Sequence, residues 1–450
     1  MTRITDLPCE VISTVLRHVG KPKDLFSAVL TCRHFCASFQ ENPYVMVDIV
    51  RDQIAPALLP YAVAVLEASN LDLLTDETTQ ALLDQLREET ELPSTPRSRL
   101  LTMPLSWLAD MSRLHSVIHE LVTIYANSAW EHLLSNLSSS AHLLAGDPED
   151  ADKGGPRAFN DCLSLSPAEY VRFCRAFYRA ELYFCLFTAP ADTRGDPKAD
   201  PDGGIVAGVA FLQTLPLWEN EQLGSVMEFL GLQFSKATRD VLAHDVQFGT
   251  WQVDYVYSGV LNHERQTWIS QGLSFVYHLM MEPSWDVKNE SLKRTYGAES
   301  SFLSRTLFYM YEEVDISVKD AKKQSDSNET YAVMFRPLDP RHDSDQGPFK
   351  AWWAAYQEMN IFALIATHKA GFREMAFVFW DEDRLQRYNV LELFTDTAPR
   401  SELEMEDVRS EILAMEASHR ARKTVWQRGG RGYWSEDDDS RVVWTGEFRR

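Results

Sequence analysis

The sequence predicts a mainly α protein: a trio of short N-terminal helices, then an irregular helical body with at most a minor strand content. Three observations carry that reading. Apolar residues recur at spacings of three and four through most of the chain, the period of a helix face. The breaks between these stretches are rich in Gly, Pro and Asp, which punctuate helices. Strand character is confined to one short run, Tyr331–Phe335, bounded by Asn328 and Pro337.

The first helix opens at Leu7-Pro8-Cys9-Glu10, with Pro8 read as the first helical residue and Glu10 facing the positive end of the helix dipole. Val11, Ile12, Val15, Leu16 and Val19 follow at helical spacing, and Gly20-Lys21-Pro22 stops the helix. Asp24 suits the cap or first turn of a second helix carrying Leu25, Phe26, Val29 and Leu30, and a third runs from Cys32 to about Phe39. Three helices this small enclose little core, so an apolar partner surface is a natural way to complete it. Leu7 and Pro8 are placed at the exposed start of the first helix, and Val11 and Val15 on its internal face.

These residues, LPxE, an Ile/Val-rich helix, a proline-bearing turn, Asp-Leu and then Leu-Thr-Cys-Arg-x-Phe, closely resemble the F-box over roughly the first tenth of the chain. The resemblance implies a substrate receptor of a cullin-based ubiquitin ligase, in which the helical trio binds a Skp-type adaptor and the remainder presents a protein client. It implies partner-binding roles for Leu7, Pro8, Ile12, Leu16, Leu25, Leu30, Cys32, Arg33 and Phe35, which occupy the motif positions.

Beyond the trio, Val45–Ser69 is rich in Ala, Val and Leu and continues directly from it, and Thr78–Glu89 is a further amphipathic segment ended by Pro93 and Pro96. Leu105–Leu134 reads as one long helix or a helix pair. Gly146–Arg157 has no apolar period and reads as an exposed loop or domain boundary. Ser166-Pro167 with Glu169 is a capping-box pattern opening a helix with the aromatic face Tyr170, Phe173, Phe177, Tyr178 and Phe184. Pro190–Gly204 is expected to be disordered, after which helical patterns cover Ile205–Gln213, Glu219–Leu232, Lys236–His244 and Asn262–Met281. Asp320–Gly347 is a third polar interval, and Phe349–Ala370 a strong helix stopped by Gly371. The segment FREMAFVFWDEDRLQRY resembles one that recurs near the end of large fungal F-box proteins, carried here by Phe377, Phe379, Trp380, Asp381, Arg384 and Leu385. Its physical reading is a core aromatic run with Asp381 capping a new helix. A charged helix, about Glu402–Lys423, then leads into a flexible tail.

Composition bounds the function. With 45% hydrophobic residues over 450 positions the chain can bury a large core. Its 44 basic against 66 acidic residues, net −22, oppose nucleic acid and anionic membrane surfaces. Six cysteines in apolar helical settings favour reduced thiols, hence cytoplasm or nucleus, and neither a leader nor a spanning run of apolar residues is evident.

Enzymatic signals are weak. Neither a G-x-S-x-G elbow nor a phosphate loop occurs, and Gly203-Gly204 with Gly208 lacks dinucleotide spacing. His115 and His119 read as helix-face histidines, Asp200–Gly203 as a solvated acidic loop, and Cys32 with Cys36 as core thiols rather than metal ligands. Arg428–Trp434 has a glycine-arginine flavour suited to RNA stacking, opposed by the acidic run Glu436–Asp439.

The sequence is thus expected to comprise an adaptor-binding module over 1–45, a helical continuation over 46–145, a client-binding body over 159–398 and a helix with tail over 399–450. It is expected to be no enzyme and to need no cofactor or metal, its partners being the adaptor, the cullin scaffold and a client. The alternative is a non-catalytic helical scaffold whose F-box-like segment only completes its own core; an enzyme hidden in the body is a third.

Overall fold

Helices dominate the computed structural model, which describes residues 4, 7–42, 44–71, 73–91, 96–144, 163–188, 203–256, 262–296, 302–310, 345–358, 371–394 and 402–444. The chain divides into two compact units. One comprises Met1–Ile124, Leu165–Lys198 and Asp339–Ser344, and the other Tyr125–Ser164, Ala199–Leu338 and Asp345–Arg450.

The first unit begins with α1 (Cys9–Arg17), α2 (Pro22–Val29) and α3 (Arg33–Glu41). Pro8 takes the N-cap position, one residue earlier than the sequence reading put it, and Gly20 adopts a positive φ of 77° at the turn that the sequence marks as a stop. α4 (Tyr44–Gln53) follows almost without a gap and packs against α1 and α2, so the trio is built into a larger helical unit. Arg17 Nε pairs with Asp48 at 3.1 Å, and Gln53 Nε2 donates to the Gly20 carbonyl at 2.6 Å. After a turn at Pro56–Leu58, α5 (Leu59–Ser69) is buried along nearly its whole length against α6 (Asp76–Glu91) and α9 (Pro167–Phe187).

That burial places Tyr61 under Arg179, whose Nη2 donates to the tyrosine hydroxyl at 3.2 Å. α7 (Pro96–Thr102) carries Arg99, paired to Glu67 and Glu89. α8 is a single helix, Leu105–Leu144, rather than a pair. The capping box at α9 is formed as the sequence indicated: Ser166 Oγ accepts from the Glu169 amide at 3.0 Å while the Glu169 carboxylate accepts from the Ser166 amide at 2.9 Å. No single helix among the described residues is long and apolar enough to cross a membrane; α4 and the segment Pro56–Ser69, apolar enough together, bend by 99° at their junction.

The second unit is organised around α11 (Leu217–His244), which fuses the two helical stretches expected over 219–232 and 236–244. Around it pack α12 (Val246–Trp251), α13 (His263–Ile269), α14 (Leu273–Met281), α15 (Trp285–Thr295) and the helix Gly347–Glu358. α10 (Gly203–Gln213) starts at Gly203, so Gly203 and Gly204 belong to a helix and not to the preceding interruption. Gly371 begins the helical turn Gly371–Glu374. The expectations for 146–157, 190–202, 331–335 and 359–370 lie outside the described residues.

Phe377, Phe379 and Trp380 are fully buried, in keeping with a core aromatic run. Asp381 holds the N-cap position of Glu382–Arg387, but its side chain makes no cap hydrogen bond there. Arg384 lies over the rings of Trp130 and Trp380 at 5.1 and 5.4 Å.

The C-terminal region corrects the expectation of a flexible tail. After the helix Glu402–Gln427, β1 (Gly430–Gly432) pairs antiparallel with β2 (Val442–Trp444). Tyr433 then stacks on His244 at 4.7 Å, Arg441 covers the Tyr433 ring at 3.9 Å, and the Trp434 amide donates to the His244 carbonyl at 2.9 Å. These aromatics find partners within the chain, so the glycine-arginine segment is part of the fold.

Candidate functional site

The helical trio separates the motif positions into two sets. Ile12, Leu16 and Leu25 are buried among the trio and α4. Each fills the core of its own chain, where burial of such a side chain contributes about 1.5–3 kcal/mol. Leu30, at 84% exposure, Pro8 and Arg33 are exposed; Leu7, Cys32 and Phe35 are half-buried.

Val11 and Val15, expected inside, are 43% and 46% exposed. The reason is angular. Successive helix residues turn by about 100°, so the Val11/Val15 pair and the Ile12/Leu16 pair define adjacent stripes. A single helix in a three-helix cluster buries only one of them. α3 and α4 claim the second stripe, where Ser13 Oγ also donates to the Ser38 carbonyl at 3.1 Å. What stays in solvent is Val11 and Val15, one turn apart on α1, with Pro8 at its start, and, separately, Leu30 at the end of α2. His34 Nε2 sits 2.9 Å from the Leu7 carbonyl and ties the start of α1 to α3. Cys32 caps α3, its sulfur accepting from the Phe35 amide at 3.5 Å, so this side chain has a local structural task.

The sequence motifs weighed as chemistry resolve into packing. His115 Nδ1 lies 3.0 Å from the Tyr178 hydroxyl and His119 Nδ1 3.0 Å from that of Tyr170, giving two histidine–tyrosine pairs between α8 and α9. Burial lowers the pKa of His115 to about 4, which keeps it neutral. Cys9, Cys32, Cys36, Cys174 and Cys185 are free thiols, and burial pushes Cys174 up to about 12. Among the described residues no group of three or more His, Cys, Asp or Glu side chains is arranged to hold a metal ion.

A second feature was not signalled by any motif: a charged, semi-enclosed cavity in the second unit, beside Glu228 and Arg373. Its residues come from five separate chain segments, and Glu228, Leu232 and Lys236 at i, i+4, i+8 on α11 were the sole trace of it in one dimension. No family model, no curated protein and no solved structure matches this chain.

Proposed function

We propose that this chain is an F-box substrate receptor: its helical trio docks a Skp-type adaptor and its helical body recruits a protein client to a cullin-based ubiquitin ligase. The exposed apolar side chains Val11, Val15 and Leu30 of the trio carry the reading. Val11, Val15 and Leu30 are beta-branched or leucine side chains left in water by a module whose core is already closed by Ile12, Leu16 and Leu25. Apolar groups held out on a packed support resemble anchors awaiting a partner surface. On this reading Pro8, Leu7, Arg33 and Phe35 complete the docking face, and the chain has no active site of its own. Its contribution to ubiquitin transfer is proximity, with the chemistry in the associated conjugating enzyme.

The competing reading, a helical scaffold, is favoured by the way α1 and α2 pack on α4. One experiment separates the two. Full-length chain carrying Val15→Asp and Leu30→Asp is purified, its melting temperature measured, and its capture of purified adaptor–cullin complex compared with wild type. Docking predicts loss of capture by tenfold or more with melting unchanged, because both side chains are solvent-exposed. Wild-type chain that captures no adaptor overturns the receptor reading.

A further inference from the structure

The cavity beside α11 encloses about 370 Å³, within the range of small-molecule sites. Its wall toward α8 is formed by Tyr125, Ser128 and His132; Phe229 and Leu232 supply apolar surface from α11. Tyr125 is locked in place: its ring stacks on Phe229 at 4.6 Å and its hydroxyl donates to the Arg373 carbonyl at 2.6 Å.

One end of the cavity is short of positive charge. Arg373 is gripped by Glu221, at 2.6 and 3.1 Å, and reaches Glu228 at 3.4 Å, with Glu374 next to it in the chain. Two carboxylates, Glu221 and Glu228, therefore face one guanidinium, which is itself 7% exposed. Glu221 already neutralises Arg373 in a two-pronged pair. Glu228 and Glu374, which both line the cavity, are left in excess. The strain is visible in Glu228, whose carboxyl is pushed up to about 7 by burial first and by Glu374 and Glu221 next, against the pull of Arg373. At the other end Lys236 and Arg239 are exposed, and Arg239 is committed to Glu411 at 3.2 Å. Arg265, buried deeper, has Asp254 nearby.

The geometry points to a binding site for a small alkylamine or arylalkylamine, its ammonium seated on Glu228 and Glu374 and its apolar body against Leu232 and Phe229. The ammonium supplies the cation that this end lacks, in a low-dielectric place where one charge-assisted hydrogen bond counts for more than in water. The aromatic rings beside it, Tyr125 and Phe229, present π faces or edges to a cation without adding charge. An acid of the same shape would set a third negative group against the two glutamates. This inference does not depend on adaptor docking.

The test uses full-length chain and three probes that share a two-carbon linker to the ring, phenethylamine, 2-phenylethanol and 3-phenylpropionate, followed by calorimetry and by thermal shift. Phenethylamine is expected to bind saturably, and the alcohol and the acid at least tenfold more weakly, the scale of one charge-assisted hydrogen bond. Affinity should rise by up to about tenfold between pH 6 and pH 8 as the Glu228 carboxyl ionises. Glu228→Gln should weaken phenethylamine binding and remove that pH dependence. Besides the tyrosines, the other ionisable groups that line the cavity are Glu374, His132, Lys236, Arg239, Arg265 and Arg373, and pH dependence surviving in Glu228→Gln overturns the role given to Glu228. Leu232→Trp, at a 37% exposed position, fills the cavity without disturbing the ion pair and should abolish binding while the chain still melts cooperatively. Equal or tighter binding of the acid, or no saturable binding of the amine by wild type, overturns the proposal.

Discussion

The buried network around Arg373 makes an asymmetric prediction. Arg373 and Glu221 expose 7% and 2% of their side chains, so neither charge is served by solvent. Replacing Arg373 with Met removes the cation from Glu221 and Glu228 together. Removing one partner of a buried pair costs about 3–5 kcal/mol, because the remaining charge stays uncompensated. Glu221→Gln acts differently. Arg373 keeps Glu228 at 3.4 Å, the glutamine still offers an acceptor of the same shape, and one of two competing carboxylates is gone. Its cost should be about 1–2 kcal/mol, nearer that of a hydrogen bond to a charged group. The Arg373→Met defect should also shrink at pH 5, where carboxylates without a cation take up protons, whereas the Glu221→Gln defect should change little. Urea denaturation followed by near-ultraviolet circular dichroism at pH 5 and pH 7.5 measures both. A Glu221→Gln cost equal to or above that of Arg373→Met, or an Arg373→Met cost independent of pH, would refute the account of two carboxylates sharing one cation.

Glu228→Gln should stabilise the chain at high pH. A carboxyl raised from 4.5 to about 7 favours the folded state when protonated, and this contribution is lost as pH rises from about 4.5 through about 7; the glutamine variant should match wild type near pH 4.5 and exceed it at pH 8 by at most about 3 kcal/mol, read from denaturation midpoints. Gly249→Ala should destabilise by about 1–3 kcal/mol, because a Cβ there falls 2.5 to 2.9 Å from the Arg422 side chain, itself fixed by hydrogen bonds to the Leu242 and Asp245 carbonyls; wild-type stability would contradict this packing. Tyr433→Ala removes the stack on His244 and the contact with Arg441, so limited proteolysis should cut the segment 428–444 faster than in wild type; equal rates would return this segment to the status of a loose tail. Ser166→Ala should cost about 1 kcal/mol through loss of the α9 cap, measured by thermal unfolding.

How much of the fold was legible depended on whether the deciding interaction was local. The α9 cap requires only Ser166, Pro167 and Glu169, all within one turn, and the sequence pattern and the structure agree there. The mainly helical class follows from periodicity that every helix must show to bury one face. The two misread terminations have non-local causes. Residues 233–235 carry no breaker, and α11 runs through them as one helix that packs on α12 to α15, something no local signal reports. The segment 428–444 has the Gly, Asp and Arg content of a tail, but its order comes from His244 and Trp285, more than a hundred residues upstream.

The proposed docking face tests the limits of helical spacing as a guide to partners. Val11, Ile12, Val15 and Leu16 form one apolar band in sequence, and the hydrophobic pattern alone cannot say which half meets the chain's own core. The structure resolves the ambiguity through polar anchors that the band does not contain: Ser13 bound to the Ser38 carbonyl and Arg17 paired with Asp48 rotate α1 so that Ile12 and Leu16 point inward. Leu25 is drawn in on α2 and Leu30, five residues later and half a turn round, is left out. An apolar band wider than one buried face is therefore the feature to seek: the half that the fold does not consume is the half available to a partner. Breaking the Arg17–Asp48 pair with Arg17→Ala checks the rotation itself. The pair is partly exposed, so its loss should cost under about 1 kcal/mol, while hydrogen exchange in α1 should rise on the Ser13 side; unchanged exchange would mean that apolar packing alone sets which half faces out.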